Sequence, residues 1–323
     1  MMSETLTVLV DGLFRQGRHN LSVSLVAENG GLLPAWQPGA HIDVHLRAGL
    51  VRQYSLTGDS TARHHYHICV ARDAQSRGGS HYVHETLRPG QRLTISAPRN
   101  LFPLAPAGKV ILLAAGIGIT PLYAMMQALE AGSVPFALHY YVKQRGDAAF
   151  LSALNAPFRH GSCQIWYSDE GHSPRCHLPD ELREPAGSTQ VYLCGPAGFM
   201  THLQQQALAL GWPASQLHTE AFKPAAIGGP ASTEETFSVT LARSGQQFTI
   251  PADRTIASVL LEQNVAVPLS CEMGMCGACL TRVIEGEVDH RDTVQSAAEK
   301  SSSDQAIALC CSRARSAHLL LDM

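Results

Sequence analysis

The sequence predicts a multidomain chain: an antiparallel β-barrel or sandwich, then an α/β domain with a parallel sheet, then a small α+β domain. Three observations predict it. Apolar and polar residues alternate with period two from Leu6 to Ser96. At Lys109 the pattern changes to a continuous apolar run, Val110-Ile111-Leu112-Leu113-Ala114, that enters a glycine turn. From Pro224 to Thr236 the chain is rich in Ala, Gly, Pro, Ser and Thr, and beyond it the cysteines concentrate.

In residues 1–106, runs such as Leu21-Ser22-Val23-Ser24-Leu25 and Ile42-Asp43-Val44-His45-Leu46 are strands with one face buried. Asn29-Gly30-Gly31 and Gln37-Pro38-Gly39 punctuate them as turns. Within this domain lies Arg52-Gln53-Tyr54-Ser55-Leu56. On a strand Arg52 and Tyr54 share a face, so a cation suited to phosphate sits beside an aromatic hydroxyl, and Ser55 points away. Further on, Ser76-Arg77-Gly78-Gly79-Ser80 precedes a short helix expected to run through Leu87. A glycine turn feeding a helix N-terminus presents free N–H groups to a phosphate. Two phosphate-suited elements in one β domain point to a nucleotide-like cofactor. His64, His65 and His67 lack the carboxylate company of a metal site and read as ordinary strand and surface residues.

Residues 107–224 read as alternating strands and helices. The run from Val110 is a strand buried on both faces. It enters Ala115-Gly116-Ile117-Gly118-Ile119-Thr120-Pro121 and a helix to about Ala131. Strand, glycine turn and helix form the phosphate-cradling arrangement of dinucleotide folds, here with Pro121 in place of the third glycine of the fingerprint. Further strands are expected at Phe136–Val142, Gln164–Tyr167 and Gln190–Leu193. The last runs into Cys194-Gly195-Pro196-Ala197-Gly198-Phe199-Met200 and a helix ending near Leu210, so this turn and the Gly116 turn should face one crevice.

Residues 225–236 form a linker. In 237–323, Phe237–Leu241 and Gln247–Ile250 read as a hairpin and Thr255–Gln263 as a short helix. Then comes Cys271-Glu272-Met273-Gly274-Met275-Cys276-Gly277-Ala278-Cys279, with Cys310 and Cys311 further on. Cysteines separated by four and then two residues, with a distant fourth, match plant-type 2Fe-2S ligand spacing. The alternative is a zinc site, since Cys276-x-x-Cys279 is half of a zinc knuckle. Spacing leaves Cys310 and Cys311 both open as the fourth ligand, although neighbours on an extended chain face opposite ways. Gly274, Gly277 and Ala278 suit a loop wrapped closely around inorganic sulfide.

A net charge of −3 excludes a generally basic nucleic-acid binder. Nine cysteines, an odd number without paired spacing, fit a reducing compartment. Met1 to Thr5 lacks the charge and apolar core of a signal peptide, and the most apolar run is broken by Gly116, Gly118, Thr120 and Pro121, so a cytoplasmic protein without a membrane span is expected.

The order of these motifs, with Asp289-His290-Arg291-Asp292 after the cysteine loop, resembles the phthalate dioxygenase reductase family, which includes the vanillate demethylase and carnitine monooxygenase reductases. The resemblance covers nearly the whole chain. It implies FMN in the first domain, a pyridine nucleotide in the second and a β-grasp, plant-type 2Fe-2S ferredoxin domain at the C-terminus. By that likeness Arg52 contacts the FMN phosphate, Gln53 and Tyr54 the flavin or its ribityl chain, and Ser55 the reactive flavin nitrogen. Ser76, Arg77, Gly78, Gly79 and Ser80 cradle the phosphate. Gly116, Gly118, Thr120, Pro121, Cys194, Gly195 and Pro196 line the nucleotide crevice, with Thr120 and Cys194 by the nicotinamide and Phe222 near the flavin ring. Cys271, Cys276, Cys279 and Cys310 hold the cluster, because the family pattern C-x-S-R-A maps onto Cys310-Cys311-Ser312-Arg313-Ala314.

Two positions depart from the family. Ala115 stands where glycine is usual, and Lys143 where arginine is common. Lys143 and Arg145 suit the 2′-phosphate of NADPH, while Asp169 suits a ribose hydroxyl and the family preference for NADH. The implied function is the reductase component of a multicomponent oxygenase, passing electrons from NADH through FMN and the cluster to a Rieske-type terminal partner. Two alternatives stand beside it: a reductase for another one-electron acceptor such as a cytochrome P450, and a zinc-stapled binding protein with a degenerate nucleotide fold.

Overall fold

A computed structural model describes residues 5–47, 50–74, 76, 78–222, 236–269, 272, 274, 277–292, 294–295, 297–302 and 304–323. They fall into two compact units, divided after Phe222.

The first unit opens with six strands, β1 (Thr5–Gln16), β2 (Asn20–Ala27), β3 (His41–Arg47), β4 (Leu50–Thr57), β5 (Tyr66–Ala71) and β6 (Arg92–Ser96). They close into a barrel in the order β1-β2-β5-β4-β3-β6, which settles the choice between barrel and sandwich. Closure leaves no exposed sheet edge. The alternating apolar residues Val8, Val10, Val23, Leu25, Ile42, Val44, Leu56, Ile68 and Ile95 fill its core. Each such side chain contributes roughly 1.5–3 kcal/mol on burial. Gly12 takes up a bulge in β1 opposite β2. The glycine turn leads into a single α-helical turn, α1 (Gly79–His81), which widens into a π-helical turn over Tyr82–Thr86 and ends where Leu87 becomes extended. The helix expected there is therefore short and carries little dipole.

The same unit continues with β7 (Lys109–Ala115), α2 (Ile119–Ala131), β8 (Phe136–Val142), α3 (Leu151–Leu154), β9 (Gly161–Tyr167), α4 (Asp180–Arg183), β10 (Thr189–Cys194), α5 (Ala197–Ala209) and β11 (Leu217–Glu220). The sheet order is β11-β10-β7-β8-β9, parallel throughout. Every residue of β8, and all of β7 after Lys109, is buried. The helix α2 is buried on nearly all sides, which fits a helix held between two layers. Its Ala124 joins the barrel core, while Leu122, Met125 and Leu129 join the core over the parallel sheet. Pro121 lies in its first turn, where no intrahelical N–H bond is lost. The sequence signal misses β11, because Leu217-His218-Thr219-Glu220 is short and polar.

The second unit comprises β12 (Phe237–Leu241), β13 (Gln247–Ile250), α6 (Ile256–Glu262), β14 (Leu280–Glu285), β15 (Val288–Asp289), α7 (Ala297–Lys300), β16 (Ala306–Ala308), β17 (Arg313–Ala314) and β18 (His318–Leu321). The main sheet has the order β13-β12-β18-β14-β16, with β12 and β18 parallel. Thr255 caps α6 by accepting from the Ser258 N–H at 3.1 Å, a contact of the kind that contributes about 1 kcal/mol. Ile256, Ala257 and Leu260 of α6 pack on the sheet with Val239, Ile307 and Leu319. Among the described residues no helix is long and apolar enough to cross a membrane.

Candidate functional site

The barrel brings the two phosphate-suited motifs together. Arg52 and Tyr54 lie on β4 and are partly buried, whereas Ser55 is buried. Gly78 sits at φ +92°, a left-handed value that glycine tolerates. A Cβ added to Gly79 would lie 2.7 Å from Cγ and 3.1 Å from Nε of Arg52, so the guanidinium stem runs directly over the glycine turn. Arg47, which sequence reasoning missed, approaches from the same side, with Nη2 3.5 Å from the Cβ position of Gly78. Its only sequence signal is a second arginine near Arg52. The turn is braced by its own serines: the Gly78 N–H donates to Ser76 Oγ at 3.1 Å and the Asp73 N–H to Ser80 Oγ at 3.1 Å. Next to Arg52 in sequence, Gln53 Nε2 is buried without a hydrogen-bond partner among the described residues. Two arginines over a glycine turn are a donor set that suits a flavin phosphate. Burial raises the Tyr54 hydroxyl pKa well above its ordinary value, against the pull of Arg52, so this group stays a neutral donor. Arg77 lies outside the described residues.

The second locus sits at the carboxyl ends of β7, β10 and β11. Gly116 is at φ +55° with open space above it, and residues 116–118 form a 3-10 turn before α2. A Cβ on Gly118 would fall 2.2 Å from the Cys194 carbonyl oxygen and 2.7 Å from the Gly195 nitrogen. The two glycine turns thus touch backbone to backbone at the carboxyl ends of β7 and β10. Gly195 in turn packs against Ala115, whose Cβ is 2.9 Å from the Gly195 Cβ position. The extra methyl at Ala115 is therefore accommodated only because residue 195 is glycine. Thr120 is buried and its hydroxyl donates to the Ile117 carbonyl at 3.0 Å. Pro196 leads α5 at its N-terminus.

Cys194 is fully buried and shares an apolar cluster with Ile119, Leu122 and Phe222. Burial, with a smaller contribution from Glu220, pushes its thiol up, so it stays protonated. Glu220 pairs with Cys194 in the β10–β11 register. Its Oε2 is shut from solvent without a hydrogen-bond partner among the described residues, and desolvation pushes the carboxyl up to about 8. Sequence reasoning named Phe222 of Glu220-Ala221-Phe222 but missed Glu220. The signal was a carboxylate ending a strand beside Cys194, hidden because the strand itself was missed.

At the outer end of the crevice, the Asp169 N–H donates to the Lys143 carbonyl at 3.0 Å, joining the loops after β8 and β9. Arg145 Nε donates to Glu170 Oε1 at 3.1 Å, and its guanidinium lies 4.7 Å over the Tyr167 ring.

In the second unit, Cys279 immediately precedes β14 and Cys310 follows β16, two antiparallel neighbours in which Leu280 pairs with Ala308. The Leu309 N–H donates to the Cys279 carbonyl at 3.3 Å, which places these two buried cysteines at one end of the sheet. Cys311 is only half-buried, and a hydrogen bond with Cys310 holds its thiol below the usual range. In the cysteine loop, Glu272, Gly274 and Gly277 all have left-handed φ values of +55°, +72° and +72°. A Cβ on Gly274 would meet Cys311 Sγ at 2.4 Å. Glycine tolerates such φ values, and at Gly274 and Gly277 it suits a loop wound closely around a cluster. Cys271 and Cys276 lie outside the described residues.

Residues 239–315 match the family model of the 2Fe-2S iron-sulfur cluster binding domain. The chain is 42% identical over 317 residues to the vanillate O-demethylase oxidoreductase of Pseudomonas sp. (strain HR199 / DSM 7063), covering 98% of this chain and 99% of the relative. Among solved structures, it matches phthalate dioxygenase reductase, described as a modular structure for electron transfer from pyridine nucleotides to 2Fe-2S. The TM-score there is 0.77 at 36% identity, over 99% of this chain and 98% of that one. An intact type IV self-sufficient cytochrome P450 monooxygenase matches with TM-score 0.81 at 37% identity, over 99% of this chain and 41% of that one. With end-to-end likeness to the vanillate and phthalate reductases, and with a 2Fe-2S cluster binding domain at residues 239–315, the chain belongs to the phthalate dioxygenase reductase family of oxidoreductases.

Proposed function

We propose that the chain is the reductase component of a multicomponent oxygenase, taking electrons from NADH and delivering them, through FMN and a 2Fe-2S cluster, to a separate terminal oxygenase. The observation that carries this is the presence in one chain of a glycine-lined nucleotide crevice, an arginine-rich flavin cradle beside it and the cysteine loop. The proposed division is an FMN domain at 1–106, an NAD domain at 107–224, a linker at 225–236 and a ferredoxin domain at 237–323. Bound FMN supplies the conversion between a two-electron hydride donor and a one-electron acceptor.

The chain's own residues do the rest. Arg52 and Arg47 neutralise the flavin phosphate over the Gly78–Gly79 turn, with Ser76, Ser80 and Arg77 around it. Gln53 offers its unused donor and Tyr54 its neutral hydroxyl, and Ser55 stands by the reacting ring nitrogen. Gly116, Gly118, Pro121, Gly195 and Pro196 leave room for the dinucleotide. Thr120 and the protonated Cys194 shape the nicotinamide end without supplying charge, and Phe222 shields the flavin ring from water. No general acid or nucleophile is needed for hydride transfer. Selection of NADH over NADPH is supported by the engagement of Arg145 with Glu170, which leaves that guanidinium already paired with a carboxylate. A 2′-phosphate there would meet the Glu170 carboxylate.

Cys271, Cys276, Cys279 and Cys310 are the proposed cluster ligands. The match of Cys310-Cys311-Ser312-Arg313-Ala314 to the family pattern supports that choice, with Cys310 and Cys279 buried at one end of the sheet. We expect Cys310→Ser to abolish iron binding and Cys311→Ser to retain it, read as iron per chain and by electron paramagnetic resonance of the dithionite-reduced protein. The reverse result reassigns the fourth ligand. The partner is proposed to be a Rieske-type oxygenase, by likeness to the vanillate and phthalate reductases, and the site of action to be the cytoplasm. The P450 match favours a second acceptor class. The deciding experiment is anaerobic bleaching of the visible spectrum by NADH, with NADPH in parallel, followed by cytochrome P450 and Rieske oxygenase as acceptors. A protein without flavin or iron-sulfur absorption overturns the whole reading.

A further inference from the structure

The loop after β8 carries Lys143 and Arg145 to the nucleotide and then returns to α3 through a strained residue. Phe150 has φ +57°, a left-handed value that a bulky side chain adopts only when its surroundings hold it there. Its ring stacks on Tyr123 of α2, with centroids 4.2 Å apart and planes within 7°. On the other side, the loop is gripped by the three-residue turn that joins β1 to β2 in the barrel. The Arg18 N–H donates to the Gly146 carbonyl at 2.7 Å, Asn20 Nδ2 donates to the Asp147 carbonyl at 3.1 Å, and Gln16 Oε1 accepts from the Phe150 N–H at 3.1 Å. Glycine stands on both faces of this joint. Gly17 is at φ +67°, and a Cβ there would lie 2.7 Å from the Gly146 carbonyl oxygen and 2.8 Å from that of Ala148. A Cβ on Gly146 would lie 2.6 Å from Arg18 Nε. At Gly17 two backbones meet with no space for a side chain, at Gly146 the neighbour is the Arg18 side chain, and three hydrogen bonds hold the joint.

We infer that the β1–β2 turn is a strut that positions the Lys143–Phe150 loop, so that Gln16, Gly17 and Asn20 are positioning residues for the pyridine nucleotide although none of them belongs to the nucleotide crevice. The strut takes hold at Gly146, Asp147 and Phe150, and the same loop is tied at its other end to Tyr167, Asp169 and Glu170. The adenosine end of the crevice is thereby clamped between the flavin barrel and the β9 loop. Its placement sets how tightly the dinucleotide is held. The inference rests on the proposed location of Lys143 and Asp169 at that end of the nucleotide.

The test uses the full-length holoenzyme, with NADH and NADPH oxidation followed at saturating ferricyanide, and with flavin and iron per chain measured on every preparation. We expect Gly17→Ala and Gln16→Ala each to raise the KM for NADH by about three- to tenfold, while kcat at saturating NADH and both cofactor contents hold. Gln16→Glu keeps the acceptor for the Phe150 N–H and is expected to stay within about twofold of the parent. If Gly17→Ala proves too destabilising to retain flavin, the Gln16 pair decides. The strut is overturned if Gln16→Ala leaves KM unchanged with both cofactors retained, or if kcat falls while KM holds. Lys143→Ala separates the strut from the premise. A raised KM in Lys143→Ala beside unchanged hairpin variants refutes the strut alone. An unchanged KM in Lys143→Ala beside raised values in the hairpin variants leaves the strut in place and shows instead that the adenosine end was misassigned.

Discussion

The two glycine turns of the first unit differ in what lies against them. At Gly79 the neighbour is the flexible side chain of Arg52; at Gly118 it is the backbone of Cys194 and Gly195. They also differ in charge. The first turn is flanked by Arg47 and Arg52, whereas the second faces a protonated thiol and a carboxyl that burial keeps neutral over much of the physiological range. One turn is built to hold an anion and can yield by a rotamer. The other is built to let two strand ends meet, and it has no soft neighbour.

That contrast breaks most sharply at Gly118. A methyl there would sit 2.2 Å from a carbonyl oxygen whose strand is buried in the middle of the sheet, so β7 and β10 must part. Gly118→Ala should cost about 3 kcal/mol or more, at the upper end of overpacking. Thermal unfolding of the first unit should shift down accordingly, with reduction by NADH lost while iron per chain persists. An unchanged melting temperature would mean that the two turns are not in backbone contact.

The electrostatic half of the comparison is sharpened by pH. The folded-state pKa of Glu220 lies near 8 against 4.5 for the free carboxyl, so the native state holds this proton longer than the unfolded state does. Stability is therefore full below about pH 4.5 and declines as pH rises through about 8. Glu220→Gln, which cannot ionise, should flatten that decline and be more stable than the parent at alkaline pH by about 2 kcal/mol. Denaturant midpoints at pH 5.5 and 8.5 measure it. Parallel slopes in parent and variant would place the Glu220 carboxyl in water.

How much of this was legible in the sequence follows from the same contrast. Motifs that depend on local backbone chemistry could be read directly. The alternation of β1 to β6, the buried strand before Gly116, the hairpin at Phe237 and the short helix from Thr255 are each written within a few residues. What could not be read depends on partners far away in the chain. Arg47 matters because β3 runs beside β4, and Glu220 because a short polar strand adds to the sheet edge next to Cys194. Gly17 and Gly146 stand more than a hundred residues apart in the sequence. Nothing local distinguishes them from ordinary turn glycines.

The smallest effect is expected at Gly79, and it tests the softness of the first turn. Gly79 has ordinary helical backbone, so alanine brings no dihedral strain and even favours the helical turn. The entire cost is the displacement of Arg52, whose Cγ lies 2.7 Å from the new methyl. A side chain can move where a carbonyl cannot, so the fold should survive with a melting temperature close to that of the parent. The guanidinium, however, leaves the place where a phosphate would meet it. Gly79→Ala should therefore weaken FMN binding about tenfold, equivalent to about 1.4 kcal/mol. Flavin per chain after gel filtration should fall while iron per chain holds, and added FMN should restore NADH oxidation. Loss of fold would make this turn as rigid as the one at Gly118. Undiminished flavin would mean that Arg52 does not hold the phosphate, leaving Arg47 and the turn's own N–H groups to do so.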